Sequence, residues 1–155
     1  MPRESEPIFP IGVAAKLLDI SDHTIRVYER EGLVLTSRTP SGHRRFSQDD
    51  VARLRSIRRM ITDYGLNLEG IKRLCSMIPC YKINPDCLVN DYEQCEVFKR
   101  TGNPCWAQEH KSEPCRSRDC YYCPVYRTHF DCTNIKDLVY KKERQLKADS
   151  NSVRN

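Results

Sequence analysis

The sequence predicts a mainly α protein: a winged helix-turn-helix domain over residues 8–77, a small Cys-rich, metal-stabilised irregular domain over 78–132, and a C-terminal helix over 133–148. Three observations lead there. Apolar residues of the first half recur at helical spacing between capping residues. Pro and Gly punctuate a basic loop among those helices. All nine cysteines of the 155-residue chain lie at or beyond Cys75, which divides the composition sharply.

The helix-turn-helix is expected over residues 11–30. Ile11, Ala14, Ala15 and Leu18 follow the i, i+3, i+4, i+7 spacing of one helix face. A tight turn through Asp19 and Ile20 comes next. Ser21 caps a second helix by accepting a backbone N–H bond, and Gly32 ends it in a left-handed conformation. With Ile25 and Tyr28 toward the core, His23, Arg26, Val27 and Arg30 fall on the outer face, the one a DNA groove would meet.

A wing, either a hairpin or an extended loop, is expected over residues 33–46, with Leu33 to Leu35 and Arg44 to Phe46 flanking Thr39-Pro40-Ser41-Gly42. It carries Arg38, His43, Arg44 and Arg45, whose cationic side chains suit phosphates or a minor groove. Ser47 and Asp50 form a capping box with Asp in place of the usual Glu. They open a third helix through Val51, Leu54, Ile57, Met60, Ile61 and Tyr64, ending near Gly65. Asn67 caps a fourth through Ile71 and Leu74, stopped by Pro79. Arg53, Arg55, Arg58 and Arg59 lie on or beside the polar side of the third helix, where the plain alternative to DNA contact is a solvated face.

Three linked motifs carry a resemblance: Ile11-Gly-Val-Ala-Ala, then Thr24-Ile-Arg-Val-Tyr-Glu-Arg-Glu-Gly-Leu33, then Gly42-His-Arg-Arg-Phe46. Residues 8–77 resemble the MerR-type DNA-binding domain, and Gly65-Leu-Asn-Leu-Glu-Gly-Ile-Lys72 is similar to its heat-shock-repressor branch. The resemblance implies a second helix in the major groove, a wing gripping phosphates, and a homodimer on an inverted repeat of promoter DNA, with RNA polymerase as a further partner. Carried over residue by residue, it makes Thr24, Arg26, Tyr28, Arg44 and His43 DNA contacts; Arg30, on the outer face of the second helix, and Arg45, on the wing, complete the DNA-contact candidates. Phosphate contact is favoured over base readout for Arg26 and Arg44, because backbone contacts make up over half of such bonds. Tyr28 divides between core packing and a hydroxyl that reaches a phosphate, while Glu29, beside Ile25, reads as structural.

Composition narrows the function classes. Charged residues are 30% and hydrophobic residues 39%, so the core is small or divided, and the +5 net charge is spread over both halves. No apolar stretch approaches the 18 or more residues of a membrane helix. Arg3, Glu4 and Glu6 stand where a secretion signal would need an apolar core, so a cytoplasmic location with no membrane partner is expected. Nine cysteines without an export signal point to metal chemistry rather than a disulfide framework. Catalysis by Cys120 and Cys123 as a thiol oxidoreductase lacks the βαβ pattern that such a C-x-x-C accompanies, so the chain is expected not to be an enzyme.

Cys120-Tyr-Tyr-Cys123 is the only C-x2-C pair, and Cys115 lies five residues before it. These three converge on one metal without long loop closure, and Cys105 or Cys132 is the nearest fourth ligand. The preferred set is Cys105, Cys115, Cys120 and Cys123. Cys132, Cys80, Cys87 and Cys95 are alternatives, and His110 and His129 are further donors. Four thiolates suit zinc or an iron–sulfur cluster equally. The spacing matches neither bacterial ferredoxin nor the compact cysteine run of redox-sensing MerR relatives.

Gly102-Asn-Pro-Cys-Trp106 and Asp119-Cys-Tyr-Tyr-Cys-Pro-Val-Tyr-Arg127 resemble the two-CW modules of bacterial sensory proteins, although Tyr81 stands where the first Trp of that pattern is expected. The resemblance implies a small metal- or ligand-binding sensory unit. Trp106, Tyr121, Tyr122 and Tyr126 are then expected to pack around its site. Asn134 and Asp137 can cap the last helix, with Ile135, Leu138, Val139 and Leu146 as its apolar stripe. Pro79 and Pro85 interrupt the region where MerR-type proteins carry a dimer helix, which leaves Cys87 to Arg100, the tail, or both to hold the dimer. The leading expectation is a DNA-binding transcriptional regulator controlled through a Cys-ligated metal or cluster. Its alternative is a DNA-binding adaptor whose zinc is purely structural and which recruits a protein partner.

Overall fold

The computed structural model describes residues 4–84, 95–100, 102–109, 115, 118–128 and 134. Cys87, Cys132, His110, His129 and, apart from Asn134, the expected C-terminal helix lie outside the described residues.

The chain enters through a two-residue strand, β1 (Phe9–Pro10), which runs directly into helix α1 (Ile11–Leu18). Asp19 closes α1 in a left-handed conformation at φ 52°, and Ile20 N–H donates back to Ala15 at 3.1 Å. That is the expected tight turn. Ser21 then caps α2 (Asp22–Arg30) by accepting from Thr24 N–H. At its far end Gly32 sits at φ 75°, and Leu33 N–H returns to the Tyr28 carbonyl at 3.0 Å, the long bond of a Schellman motif.

The wing differs from the sequence expectation. Leu33 and Val34 are fully buried linker rather than strand. The paired segments are β2 (Ser37–Arg38) and β3 (Arg44–Phe46), joined by a turn in which Gly42 takes φ 85° and its N–H donates to Thr39. β1 pairs on the other edge of β3, giving the antiparallel order β1-β3-β2 with Phe9 opposite Phe46 and Arg38 opposite Arg44. Pro10 is tolerated because it lies on an edge strand. The reason for the difference is burial: Leu33 and Val34 have no polar partner positions and sink into the core instead of alternating across a sheet.

Helix α3 (Gln48–Thr62) opens on the expected capping box, with Asp50 N–H on Ser47 Oγ at 3.1 Å and Ser47 N–H on Asp50 Oδ2 at 2.8 Å. Asn67 caps α4 (Leu68–Ser76) through Gly70 N–H at 2.7 Å. Helix α1 packs on α2 and α3, and α3 packs on α4. Ala14, Leu18, Ile25, Tyr28, Phe46, Leu54, Ile57, Met60 and Ile71 fill the space between them.

Beyond Ile78 the described residues form short turns: α5 (Cys80–Ile83), α6 (Glu96–Lys99), 3-10 turns at Cys105–Ala107 and Cys120–Tyr122, and α7 (Pro124–Arg127). Trp106, Tyr121, Val125 and Tyr126 from this region join the same buried cluster as the helices of the first half. Among the described residues the core is therefore continuous across the compositional break. No helix of the described residues is long and apolar enough to cross a membrane.

Because Ser47 is fully buried and caps α3 from both directions, Ser47→Ala is expected to destabilise the protein by about 1–2 kcal/mol. The check is the urea midpoint, which should fall with the slope of the transition unchanged.

Candidate functional site

Two features of the molecule have the chemistry of a site. The first is a cleft between α2 and the wing. Arg26 of α2 meets His43, Arg44 and Arg45 of the wing there, above a floor of Pro10 and Ile11. Four of the seven sequence-chosen contact residues are thus brought together. Thr24 lies at the start of α2 with its hydroxyl 2.9 Å from Ser21 Oγ, and Arg30 is exposed at the other end of the helix. Tyr28 is 6% exposed and belongs to the core. Burial raises its phenol pKa, with Arg58 opposing.

Glu29 sets the geometry of this cleft. Its carboxylate accepts from Arg44 Nε at 2.6 Å and from the Thr36 hydroxyl at 2.7 Å, and Arg38 lies at 3.5 Å. One side chain on α2 therefore ties down both strands of the wing. Burial acts to raise the pKa of Glu29, but these hydrogen bonds and cations outweigh it and hold the carboxyl below its ordinary value. The sequence placed Glu29 beside Ile25 as structural. Its partners across the wing are set by the fold.

The second feature is the contact between the cysteine-rich segment and the helices. Trp106 Nε1 donates to the Gly32 carbonyl at 2.9 Å, Tyr126 Oη accepts from Leu35 N–H at 2.8 Å, and Tyr121 Oη donates to Asp50 Oδ2 at 2.6 Å. Those three anchors are the end of α2, the root of the wing and the cap of α3. Ala107 presses so closely on Gly32 that a Cβ there would lie 2.7 Å from the alanine Cβ. Arg127 approaches Asp50 at 3.4 Å and stacks 4.1 Å over Tyr121.

Arg53 corrects a sequence expectation. Placed on or beside the polar side of α3, it is 7% exposed, with its guanidinium 4.1 Å over the Tyr126 ring and 5.2 Å over Trp106. Its Nη2 has no hydrogen-bond partner among the described residues. Helix phase in the first half leaves this side of α3 polar, and the aromatic turns of the second half cover it. Trp106 and Tyr126 accordingly pack on the helices as well as lining the space beside the cysteines, Tyr121 packs on the helices with its hydroxyl on Asp50, and Tyr122 stays exposed. Phenol burial raises the Tyr126 and Tyr121 pKa values to about 12 each.

On the outer side of this aromatic wall lies a cavity of about 430 Å³. All seven described cysteines line it: Cys75, Cys80, Cys95, Cys105, Cys115, Cys120 and Cys123. The preferred ligand set thus surrounds one space, together with the alternatives Cys80 and Cys95. Among the described residues no three Cys, His, Asp or Glu side chains approach closely enough to hold a single ion. Cys75 belongs to α4 and is buried in the core, and burial pushes its thiol up to about 12 against the opposing pull of Arg53. The C-x2-C spacing pointed to part of this lining. The inclusion of Cys75 follows only from how α4 meets the later turns.

Comparison with known proteins finds matches to the first half of the chain. Residues 9–78 match the family model described as MerR HTH family regulatory protein. HspR of Streptomyces coelicolor is 40% identical over 74 residues, which is 48% of this chain and 49% of that protein. The HTH-type transcriptional regulator GlnR of Bacillus anthracis is 43% identical over 75 residues, 48% of this chain and 57% of that protein. A crystal structure of HiNmlR, a MerR family regulator lacking the sensor domain, bound to promoter DNA, matches 45% of this chain and 57% of its own at 34% identity, with a TM-score of 0.40. The chain spans about half the length of the curated relatives it matches.

Glu29 has a depressed folded pKa, so its contribution to stability is complete above its ordinary value of 4.5 and is lost as pH falls below that through the folded value. Glu29→Gln is expected to flatten the acid side of the stability–pH curve; an unaltered curve would remove the wing tie. Tyr126→Phe leaves Leu35 N–H without its buried acceptor and is expected to cost about 1–3 kcal/mol in denaturant unfolding.

Proposed function

Residues 9–78 are a MerR-type helix-turn-helix domain, and from that premise we propose that the protein is a sequence-specific transcriptional regulator controlled by a Cys-ligated metal or iron–sulfur centre. The cleft of Arg26, His43, Arg44 and Arg45 carries the reading. Cations from a helix and from a wing meet around one concave strip, as two successive phosphates or a groove edge require. Arg26 is exposed, whereas Arg44 is held on Glu29 and presents its remaining guanidinium edge. Thr24 and Arg30 extend the contact along α2. Tyr28 serves from beneath as packing.

A homodimer on an inverted repeat is the proposed assembly, since a two-fold protein matches a two-fold site. Promoter DNA and RNA polymerase are the proposed partners. Control by the cysteine-lined cavity is supported by its position: Trp106 and Tyr126 line it and also hold the backbone at Gly32 and Leu35, between α2 and the wing. A centre that changes the set of these turns acts on both DNA-contacting elements at once. Zn, bound by four thiolates, would supply fixed tetrahedral support, and a cluster would supply a centre that can be gained and lost.

The test uses selection from randomised duplexes, followed by affinity measurements over a salt series. An inverted repeat is expected. Arg26→Ala is expected to weaken binding to all duplexes and to reduce the salt slope by about 0.9, the loss of one phosphate contact. An unchanged slope would refute that role. Metal removal that leaves DNA affinity and transcription untouched would instead favour the adaptor with structural zinc.

A further inference from the structure

We infer that the seven-cysteine cavity is built for a polynuclear iron–sulfur cluster rather than for one zinc ion, with Cys105, Cys115, Cys120 and Cys123 as its ligands. The inference rests on the regulator reading only for its consequence, not for the site itself. Size comes first. Four thiolates on one zinc stand about 2.3 Å from the metal, which places the sulfurs about 3.8 Å from one another. Here a sphere of the cavity's volume has a radius about twice that Zn–S bond. Among the described residues no three donors close to the spacing of a single-ion site, although seven cysteines face the one space. A cluster with several irons and bridging sulfides fills such a space and takes its thiolates from the walls.

Charge and polarity agree. Arg100 and Arg118 are the charged residues among the described lining, and no carboxylate joins them there, although Glu96, outside the lining, pairs with Arg100 at 3.5 Å. Behind the aromatic wall, the buried Arg53 guanidinium has an unsatisfied Nη2. These cations suit the net negative charge of a thiolate-ligated centre, and a cation that needs carboxylate ligands finds none in the described lining; charge thus favours thiolate ligation, and size separates the cluster from one zinc ion. Ile78, Val97 and Val125 give the cavity an apolar lining as well, and solvent exposure is one of the levers that sets a cluster's behaviour. Of the cysteines, Cys105, Cys120 and Cys123 sit at the ends of short 3-10 turns that can adjust to ligation. Cys75 is fixed in α4.

The closing experiment reconstitutes the full-length protein without oxygen using ferric and ferrous iron with sulfide, the ferric iron supplying the oxidation level of the cluster, with parallel samples given Zn(II) or Co(II) alone. Expected are iron and sulfide in equal amounts, more than one of each per chain, with visible absorption that bleaches on reduction. Cys120→Ser and Cys123→Ser are expected to lose the absorption and the iron while keeping the far-ultraviolet circular dichroism of the parent. If those variants fail to fold, alkylation of the reconstituted parent should show Cys105, Cys115, Cys120 and Cys123 protected. One tetrahedral Co(II) or Zn(II) per chain, with no stoichiometric iron and sulfide, overturns the inference. So does iron retained equally by both variants, or alkylation of all four cysteines in the loaded protein. Because these readouts do not involve DNA, a cluster without selective DNA binding would sink the regulator reading and leave the site standing.

Discussion

The carboxylate of Asp50 is the constraint on which the two halves of the chain both depend. It is 1% exposed, and a buried charge of that kind is tolerated only when its oxygens are occupied. Oδ2 takes the Ser47 N–H and the Tyr121 hydroxyl, and Arg127 approaches Oδ1. The first bond fixes where α3 begins, and with it the direction in which the chain leaves the wing. The others hold the cysteine-rich turns. One residue therefore sets the start of a helix and the seat of the segment that follows some seventy residues later.

Around that anchor the molecule is organised as two faces of one core. The wing and α2 present cations on one side, tied together through Glu29. On another, Trp106, Tyr121 and Tyr126 cover α3 and reach the backbone at Gly32 and Leu35. Gly32 ends α2 and Leu35 precedes β2, so the covering turns touch the linker between α2 and the wing. The left-handed Gly32 is needed twice there, for the helix end and for the approach of Ala107. Packed interiors transmit displacement because they have no slack to absorb it.

Much of the helical domain was legible because its signals are local. Ser21, Ser47 and Asn67 cap the helices they were expected to cap, and Gly32 and Gly42 take the positive φ that their turns require. The wing was legible as a basic turn but not in its strands, since β1 comes from Phe9–Pro10, far away in the chain. The cleft residues Arg26, His43, Arg44 and Arg45 followed from helix phase and loop position. Arg44's partner did not, because an ion pair across elements leaves no periodic trace.

By itself the sequence determined the capped helices, the order of helix-turn-helix and wing, and the concentration of thiols in the second half. These depend on neighbours within a few residues, where spacing and residue type are enough. Tertiary structure alone decided that Arg53 is buried, that the aromatic turns share the core of the helices, and that Cys75 lines one cavity with Cys80, Cys105, Cys115, Cys120 and Cys123. The physical reason is that irregular turns have no period of their own. Their aromatic side chains take whichever apolar surface completes their burial and hydrogen bonding, and that surface was supplied by α3 and the ends of α2 and the wing.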